Sequence, residues 1–440
     1  MNRNARRSVS YYRVIPRLVR VGVPETVTIT PIGKGKGFDD SLDYVVSFIP
    51  RECHTETWVG AEPPVFDSVT LRPQNGAISF THTFDEEQEW VISLKPLTDQ
   101  KISPKKTSLK FRVYALENDL YALNPYRGDL HVHSTGSDGR EDPMIVAANY
   151  RKEGFDFLAL TDHRNWSSSD ELVEAYSSVK LGLKIFRGEE VHVPNNWIHI
   201  INFGGSYGIS ALYNSDPERI DALVAERAKS LEVPKGVNAL EYAYREWIGE
   251  EIHRAGGFVI VAHPYWVYRQ VHNMSDRMLD YVLETGLYDA LELVGGLSIY
   301  ENNLQTAFYQ EQRAKGRNIP IVGSSDSHGT DPVSHFGEGQ TIVFAKDMEF
   351  GSITDAIRSG YSVAIEKPYG EEERVYGSYR MVKYARFLLD HYFPAHDELC
   401  AEEAILMREF TLGDAESGEM LSALSHRVER FMNKALRGEG

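Results

Sequence analysis

Between residues 11 and 116 apolar and polar positions alternate in short runs. Thr26-Val27-Thr28-Ile29-Thr30, Tyr44-Val45-Val46-Ser47-Phe48-Ile49, Ser68-Val69-Thr70-Leu71 and Trp90-Val91-Ile92-Ser93-Leu94 are rich in β-branched and aromatic residues. The period of two turns successive side chains to opposite faces of a strand. Turn formers such as Pro73-Gln74-Asn75-Gly76 separate the runs. No helical pattern of convincing length interrupts them. Their number and spacing predict a β-sandwich of immunoglobulin-like type over residues 1–125.

At Asn124-Pro125 the pattern changes. Strands are predicted at 128–133, 155–161, 184–191, 197–203, 258–262, 290–294, 320–324 and 340–345. Helices are predicted at 143–153, 169–179, 240–255, 276–285, 300–315 and 350–359. This alternation implies an α/β unit with a parallel sheet, and so many repeats favour a closed, TIM-like barrel over residues 126–367. Residues 205–236 read as an insertion to which the pattern assigns no structure. Beyond residue 367 the strand pattern stops, and residues 379–436 are helical by periodicity. Tyr384, Phe387, Leu388 and His391 share one face, as do Val428, Phe431 and Met432. Residues 368–440 are therefore expected to be a helical extension that covers the barrel or makes a dimer contact.

Composition narrows the function. With 64 acidic and 47 basic residues in 440, the formal net charge is −17. Such a surface does not attract long nucleic acid by bulk electrostatics. A small phosphate captured at a locally positive metal site remains compatible with it. Two cysteines, Cys53 and Cys400, imply no disulfide framework. No apolar segment follows the basic start at Arg3, Arg6 and Arg7, and no run of 18 apolar residues occurs. A cytoplasmic protein with reduced thiols and no membrane partner is expected, with homo-oligomerisation left open.

The chemistry-bearing residues recur at predicted strand ends. Gly128-Asp129-Leu130-His131-Val132-His133 places two imidazoles on one face of a strand. Asp138, Thr161-Asp162-His163, Gly188-Glu189-Glu190, His199, Ala262-His263-Pro264 and Ser325-Asp326-Ser327-His328 follow in order. In a parallel barrel functional residues gather at the C-terminal strand ends. The candidate ligands are His131, His133, Asp138, His163, Glu190, His199, His263, Asp326 and His328. Imidazole suits Zn, Mn and Fe, and carboxylates can bridge two ions. Nine ligands exceed the need of one ion and fit two or three divalent ions. Water activated at such ions attacks in line, and the ions stabilise both the attacking and leaving oxygens. Glu190, His199 and His328 are the residues expected to act in catalysis, and a histidine or acid near the ions can protonate the leaving group.

Blander readings stand beside these. Asp138 precedes Gly139 and fits a turn. His192 lies just past Glu190 and competes with His199, which is favoured. Asp129 and Asp162 are read as carboxylates that orient ligand histidines. Arg140, Arg164 and Arg269 each follow a ligand motif, and one of them could hold a substrate anion. Tyr265-Trp266 could stack an aromatic group or pack on the rim. Glu292 reads as solvated or supporting, and His335 as a surface histidine or a leaving-group acid.

Together these motifs resemble the polymerase-and-histidinol-phosphatase (PHP) family over about residues 127–366. The resemblance implies a distorted (β/α)7 barrel, a trinuclear metal site and ligand roles for the nine residues, with Glu190 bridging. Gly188-Glu189-Glu190-Val191 followed by Trp197-Ile198-His199-Ile200-Ile201-Asn202-Phe203-Gly204 is most similar to the branch that includes the carbaryl hydrolase, which often carries an extra β domain. Hydrolysis of small phosphate esters of nucleotide-like type is the leading expectation. A carboxylic ester, amide or carbamate is the alternative substrate. A non-catalytic protein that binds through its sandwich is a third reading.

Overall fold

The computed structural model of the protein describes residues 11–33, 37–52, 65–97, 108–194 and 197–439. Arg3, Arg6, Arg7 and Cys53 lie outside the described residues. The chain forms two compact units. The first comprises residues 1–123, 383–396 and 426–440, and the second comprises residues 124–382 and 397–425. Residues 368–440 therefore do not stand apart: their segments are divided between both units.

Among the described residues the first unit holds eight strands: β1 (Tyr12–Ile15), β2 (Leu18–Arg20), β3 (Pro24–Pro31), β4 (Tyr44–Pro50), β5 (Ser68–Leu71), β6 (Ile78–Thr83), β7 (Glu89–Pro96) and β8 (Leu109–Leu116). One sheet runs β1-β3-β6 and the other β2-β8-β7-β4-β5. Alternation does what the sequence pattern implies. Tyr44, Val46 and Phe48 of β4 and Trp90, Ile92 and Leu94 of β7 are buried, while their neighbours are not. They share one apolar cluster with Val14, Val27, Ile29, Ile78 and Phe80 of the smaller sheet. In the helix Tyr379–His391, the predicted face holds: Tyr384, Phe387 and Leu388 are buried, and the Tyr384 ring meets Tyr114 at 5.3 Å.

The second unit is mixed α/β. Its strands are β9 (Asn124–Val132), β10 (Phe157–Leu160), β11 (Lys184–Phe186), β12 (Gly188–Val191), β13 (Ile200–Phe203), β14 (Phe258–Val261), β15 (Val267–Tyr268), β16 (Val271–His272), β17 (Ala290–Val294), β18 (Ile321–Gly323), β19 (Gly339–Ala345), β20 (Ser362–Glu366) and β21 (Arg374–Tyr376). They form two main sheets, β11-β10-β9-β19-β20-β21 and β12-β13-β14-β17-β18, and a small β15-β16 hairpin. Isolated parallel bridges join His163 to Glu190 and Val132 to Ser327.

The expected all-parallel sheet is corrected in two places. β13 pairs antiparallel with both β12 and β14. β19 pairs antiparallel with both β9 and β20. Parallel pairing needs a long crossover, and no helix separates β12 from β13. The predicted helices form at Pro143–Lys152, Trp166–Ala175, Ala239–Arg254, Asp276–Glu284, Ile299–Ala314 and Phe350–Arg358. The 205–236 insertion contains the helices Ile209–Ser215 and Pro217–Ser230. Asp216 caps the second, accepting from the backbone N–H of Arg219.

Candidate metal centre

The site grows from hydrogen bonds that zip β9 to the segment after β18. Asp326 N donates to His131 O at 2.9 Å, and His133 N donates to Ser327 O at 2.9 Å. Asp129 is fully buried on β9. Its carboxylate accepts from the backbone N–H groups of His131 and Ser325, at 3.1 Å for each through Oδ1, and from the Tyr150 hydroxyl. Asp129 thus fixes the backbone beneath His131 and Asp326 without touching a ligand ring. Burial raises its pKa to about 7. The residues around Asp326 and His263 are held off the usual backbone: φ is +50° at Asp326 and +23° at His263. Side chains rarely adopt such angles, and they persist where surrounding structure enforces them.

All nine predicted ligands converge. Glu190 is the hub and is fully buried. Its Oε2 lies 2.6 Å from His163 Nδ1, 3.3 Å from His131 Nε2 and 3.5 Å from His133 Nε2. Its Oε1 lies 2.7 Å from His199 Nδ1 and 3.1 Å from His263 Nε2. Asp326 Oδ1 lies 3.1 Å from His131 Nε2 and 3.0 Å from His133 Nε2. At the open end, Asp138 Oδ1 sits 3.3 Å from His163 Nε2 and 3.2 Å from His328 Nε2. The turn at Gly139 and the aim of Asp138 coexist: Gly139 N donates to Ser134 O, and this hairpin delivers the carboxylate.

The donors fall into overlapping sets. One is His133, Asp138, His163 and His328. Another is His131, His133, Glu190 and Asp326. The others are His163, Glu190 and His192, and Glu190, His199 and His263. His131 Nε2 and Glu190 Oε2 are buried, face each other and make no hydrogen bond. Buried polar atoms are almost always partnered, so these two fit a divalent ion as the missing partner.

Electrostatics divide the ligand candidates. Burial opposes charge on His131, yet Asp326, Glu190 and Glu292 together hold its pKa well above the usual value. Burial would raise Glu190 and Asp326, but the surrounding histidines reverse it and keep both far below the ordinary carboxyl range. His133 and His199 are pushed down to about 4, chiefly by burial. His328 rises to about 9 despite burial, through its hydrogen bond to Asp138 and the charges of Asp326 and Asp138. That same bond holds Asp138 well below its usual value. Ionised carboxylates and the unprotonated His133 and His199 match what a divalent cation requires, and His131 and His328 would give up a proton as an ion binds.

Sequence reasoning set His192 aside for His199, and the structure brings in both. His192 Nε2 lies 3.3 Å from Glu190 Oε2 and 3.0 Å from His163 Nδ1, and the His192 and His199 rings sit 3.8 Å apart. The signal was available: His192 stands two residues from Glu190, on the same face. Glu292 takes a supporting place. Its Oε2 is 2.9 Å from His131 Nδ1, and its Oε1 accepts from His263 N.

Other expectations are placed differently. Asp162 orients no histidine. It accepts from Ser134 N, and from the hydroxyls of Ser134, Ser137 and Ser168, so it fixes the loop that carries Asp138. Tyr265 does not line the mouth: it is buried, and its hydroxyl donates to Asp276 Oδ1 at 2.8 Å. Trp266 faces the histidines instead. Arg140 pairs with Asp331 at 2.6 Å. Arg164 is exposed, with its N–H on Glu190 O. Arg269 lies over the Tyr268 ring at 5.1 Å. His335 is held by Glu338 at 2.9 Å.

No family model matches the chain. By sequence it is similar to the DNA polymerase/3'-5' exonuclease PolX of Bacillus subtilis, at 32% identity over 85 residues, covering 19% of this chain and 15% of that protein. It is also similar to a 5'-3' exoribonuclease of Haemophilus influenzae, at 27% identity, covering 31% of this chain and 68% of that protein. The chain thus spans only a small part of the first relative's length. Among solved structures, it resembles a two-domain protein of Bacteroides vulgatus with a predicted PHP-like metal-dependent phosphoesterase. There the TM-score is 0.40 and the identity 18%, over 55% of this chain and 65% of that one. A protein assigned as a metal-dependent phosphoesterase, from Bifidobacterium adolescentis, gives a TM-score of 0.34 and 20% identity over 48% and 91%. Both are partial likenesses. The ordered His, Asp and Glu motifs meet in one centre, and two sequence relatives match parts of the chain.

Proposed function

We propose that the chain hydrolyses small phosphate esters, as a phosphatase or phosphodiesterase acting on nucleotide-like substrates. The observation that carries this reading is the convergence of ten ligand-capable side chains, Glu190 and Asp326 at their centre. The nine predicted ligands, with His192, would hold two or three divalent ions of Mn, Fe or Zn type. Residues 127–366 are read as a distorted (β/α)7 barrel, with the preceding β unit as an immunoglobulin-like sandwich.

Divalent ions in such a centre supply Lewis acidity and lower the pKa of water. The chain's own residues do the rest. Glu190 and Asp326, kept ionised, anchor the inner histidines. Asp129 and Glu292 hold His131 in place from behind. His328 stands at the open end beside Asp138 and, where an ion does not take it up as a ligand, is placed to give a proton to a leaving oxygen. The exposed Arg164 is at hand for an anionic group.

The test uses manganese-loaded protein with p-nitrophenyl phosphate, bis-p-nitrophenyl phosphate and p-nitrophenyl acetate. Phosphate turnover that disappears in His131→Ala supports the proposal. Turnover of the acetate alone would move the chain to carboxylic ester chemistry. No turnover, with no stoichiometric metal bound, would return it to a binding role.

A further inference from the structure

One wall of the centre is aromatic, and no step above uses it. The Trp266 ring lies 5.4 Å from His199 and 5.7 Å from His263, centroid to centroid. Tyr268 stacks on Trp266 at 5.3 Å with an interplanar angle of 23°. Trp197 meets Tyr268 edge-on at 5.6 Å. The three rings form a continuous ledge leading outward from two ligand candidates.

This ledge is open and firmly held. Trp197 is 42% exposed and Tyr268 38%. Large rings left partly in water forgo the burial that normally stabilises them. β15 pairs with β16, Val267 N donates to Glu301 Oε1 at 2.8 Å, and Asn273 N donates to Trp266 O at 2.8 Å. The turn between β15 and β16 is Arg269-Gln270, with φ of +48° and +74°. Such turns favour Asn-Gly, so the arginine is kept there against backbone preference. Its guanidinium lies over Tyr268 and brings positive charge to the outer end of the ledge.

We propose that Trp197, Trp266 and Tyr268 form a stacking subsite for a planar aromatic or heteroaromatic group of the substrate, linked to the anion held at the metal centre. The inference rests on the phosphate-ester reading and narrows it to substrates that carry a ring close to the phosphate. Stacking suits this position because any π-face fits, whatever its hydrogen-bonding edge.

Phenylphosphonate and methylphosphonate test it, since both carry the same type of anion and their C–P bond resists hydrolysis. Their affinities for the manganese-loaded full chain are measured by calorimetry. Phenylphosphonate is expected to bind about tenfold more tightly. In Trp197→Leu and Tyr268→Leu the preference should shrink toward parity, with circular dichroism spectra matching the wild type. Equal affinities in the wild type, or a preference untouched in both variants, would overturn the subsite. If neither phosphonate binds and p-nitrophenyl acetate is turned over, the phosphate reading has failed by itself. Benzoate and acetate then serve as the matched inhibitors, and equal inhibition by the two would overturn the stacking subsite.

Discussion

Glu292 Oε2 lies 2.9 Å from His131 Nδ1, and both side chains are fully buried. With an ion bound, this contact would keep the proton on Nδ1 and turn the Nε2 lone pair toward the side of Glu190 and Asp326. The other oxygen of Glu292 accepts from His263 N, so one carboxylate braces two candidate ligands. Carboxylates behind ligand histidines fix the ring and raise its basicity, and their loss typically weakens metal binding about 10- to 100-fold. Glu292→Gln should therefore bind metal about tenfold more weakly while the fold is kept. Competition with a chelator of known affinity measures this, and unchanged affinity would remove Glu292 from the centre.

Gly296 sits where the chain after β17 passes the backbone of Ser325. A Cβ there would stand 1.9 Å from Ser325 O and 2.9 Å from His335 Cβ. The first neighbour is backbone, so it cannot rotate away. Gly296→Ala must displace the Ser325-Asp326 segment, where Asp326 already holds φ of +50°. Metal stoichiometry should fall in this variant more than thermal stability does. A variant with full metal content would show that the segment is softer than the geometry implies.

The clustering of the candidate ligands was legible in the sequence because they stand at strand ends in a fixed order. The strand β9 also turns His131 and His133 to one side by simple alternation. What was not legible depends on how separate strands face each other. His192 lies just after β12 and His199 just before β13, and their rings meet only because β12 and β13 pair antiparallel. Residue types alone could not reveal that pairing. Tyr265 and Trp266 are adjacent, and nothing in their chemistry says which enters the core. The hydrogen bond to Asp276, eleven residues on, decides it. Asp162 was assigned to a histidine because it precedes one, whereas its partners are three serines spread from residue 134 to residue 168. β20 was missed, although Ser362-Val363-Ala364-Ile365-Glu366 is apolar enough to be a buried strand.

Removing the ions should be felt in stability. Their ligands come from β9, β12, the segment before β13, and the segments after β10, β14 and β18, so each ion ties distant parts of the second unit together. A ligand that binds the folded state alone stabilises it by about 2.7 kcal/mol at a free concentration of 100 Kd. Protein dialysed against chelator should melt at a lower temperature than protein with manganese restored. The difference should vanish in Glu190→Gln, which reduces the charge of the hub. Equal melting temperatures for the two wild-type samples would count against metal binding in the folded state.

Acid should weaken the first unit through His391, far from any metal ligand in sequence. Burial disfavours the charged ring, and Arg17, Arg112 and Arg51 add repulsion, so its pKa is lowered to about 3. Unfolded, the same imidazole has a pKa near 6.5. Between these values the unfolded chain binds the proton and the folded chain does not. Stability is therefore full above about pH 6.5 and is lost progressively as the pH falls toward 3, by at most about 1.4 kcal/mol per pH unit. His391→Gln removes the titrating group, and the Phe387 ring beside it remains. Urea unfolding of metal-free wild type and variant between pH 4 and pH 7 should show the wild type falling more steeply with acid. Parallel curves would mean that His391 is hydrated enough to titrate normally in the folded protein.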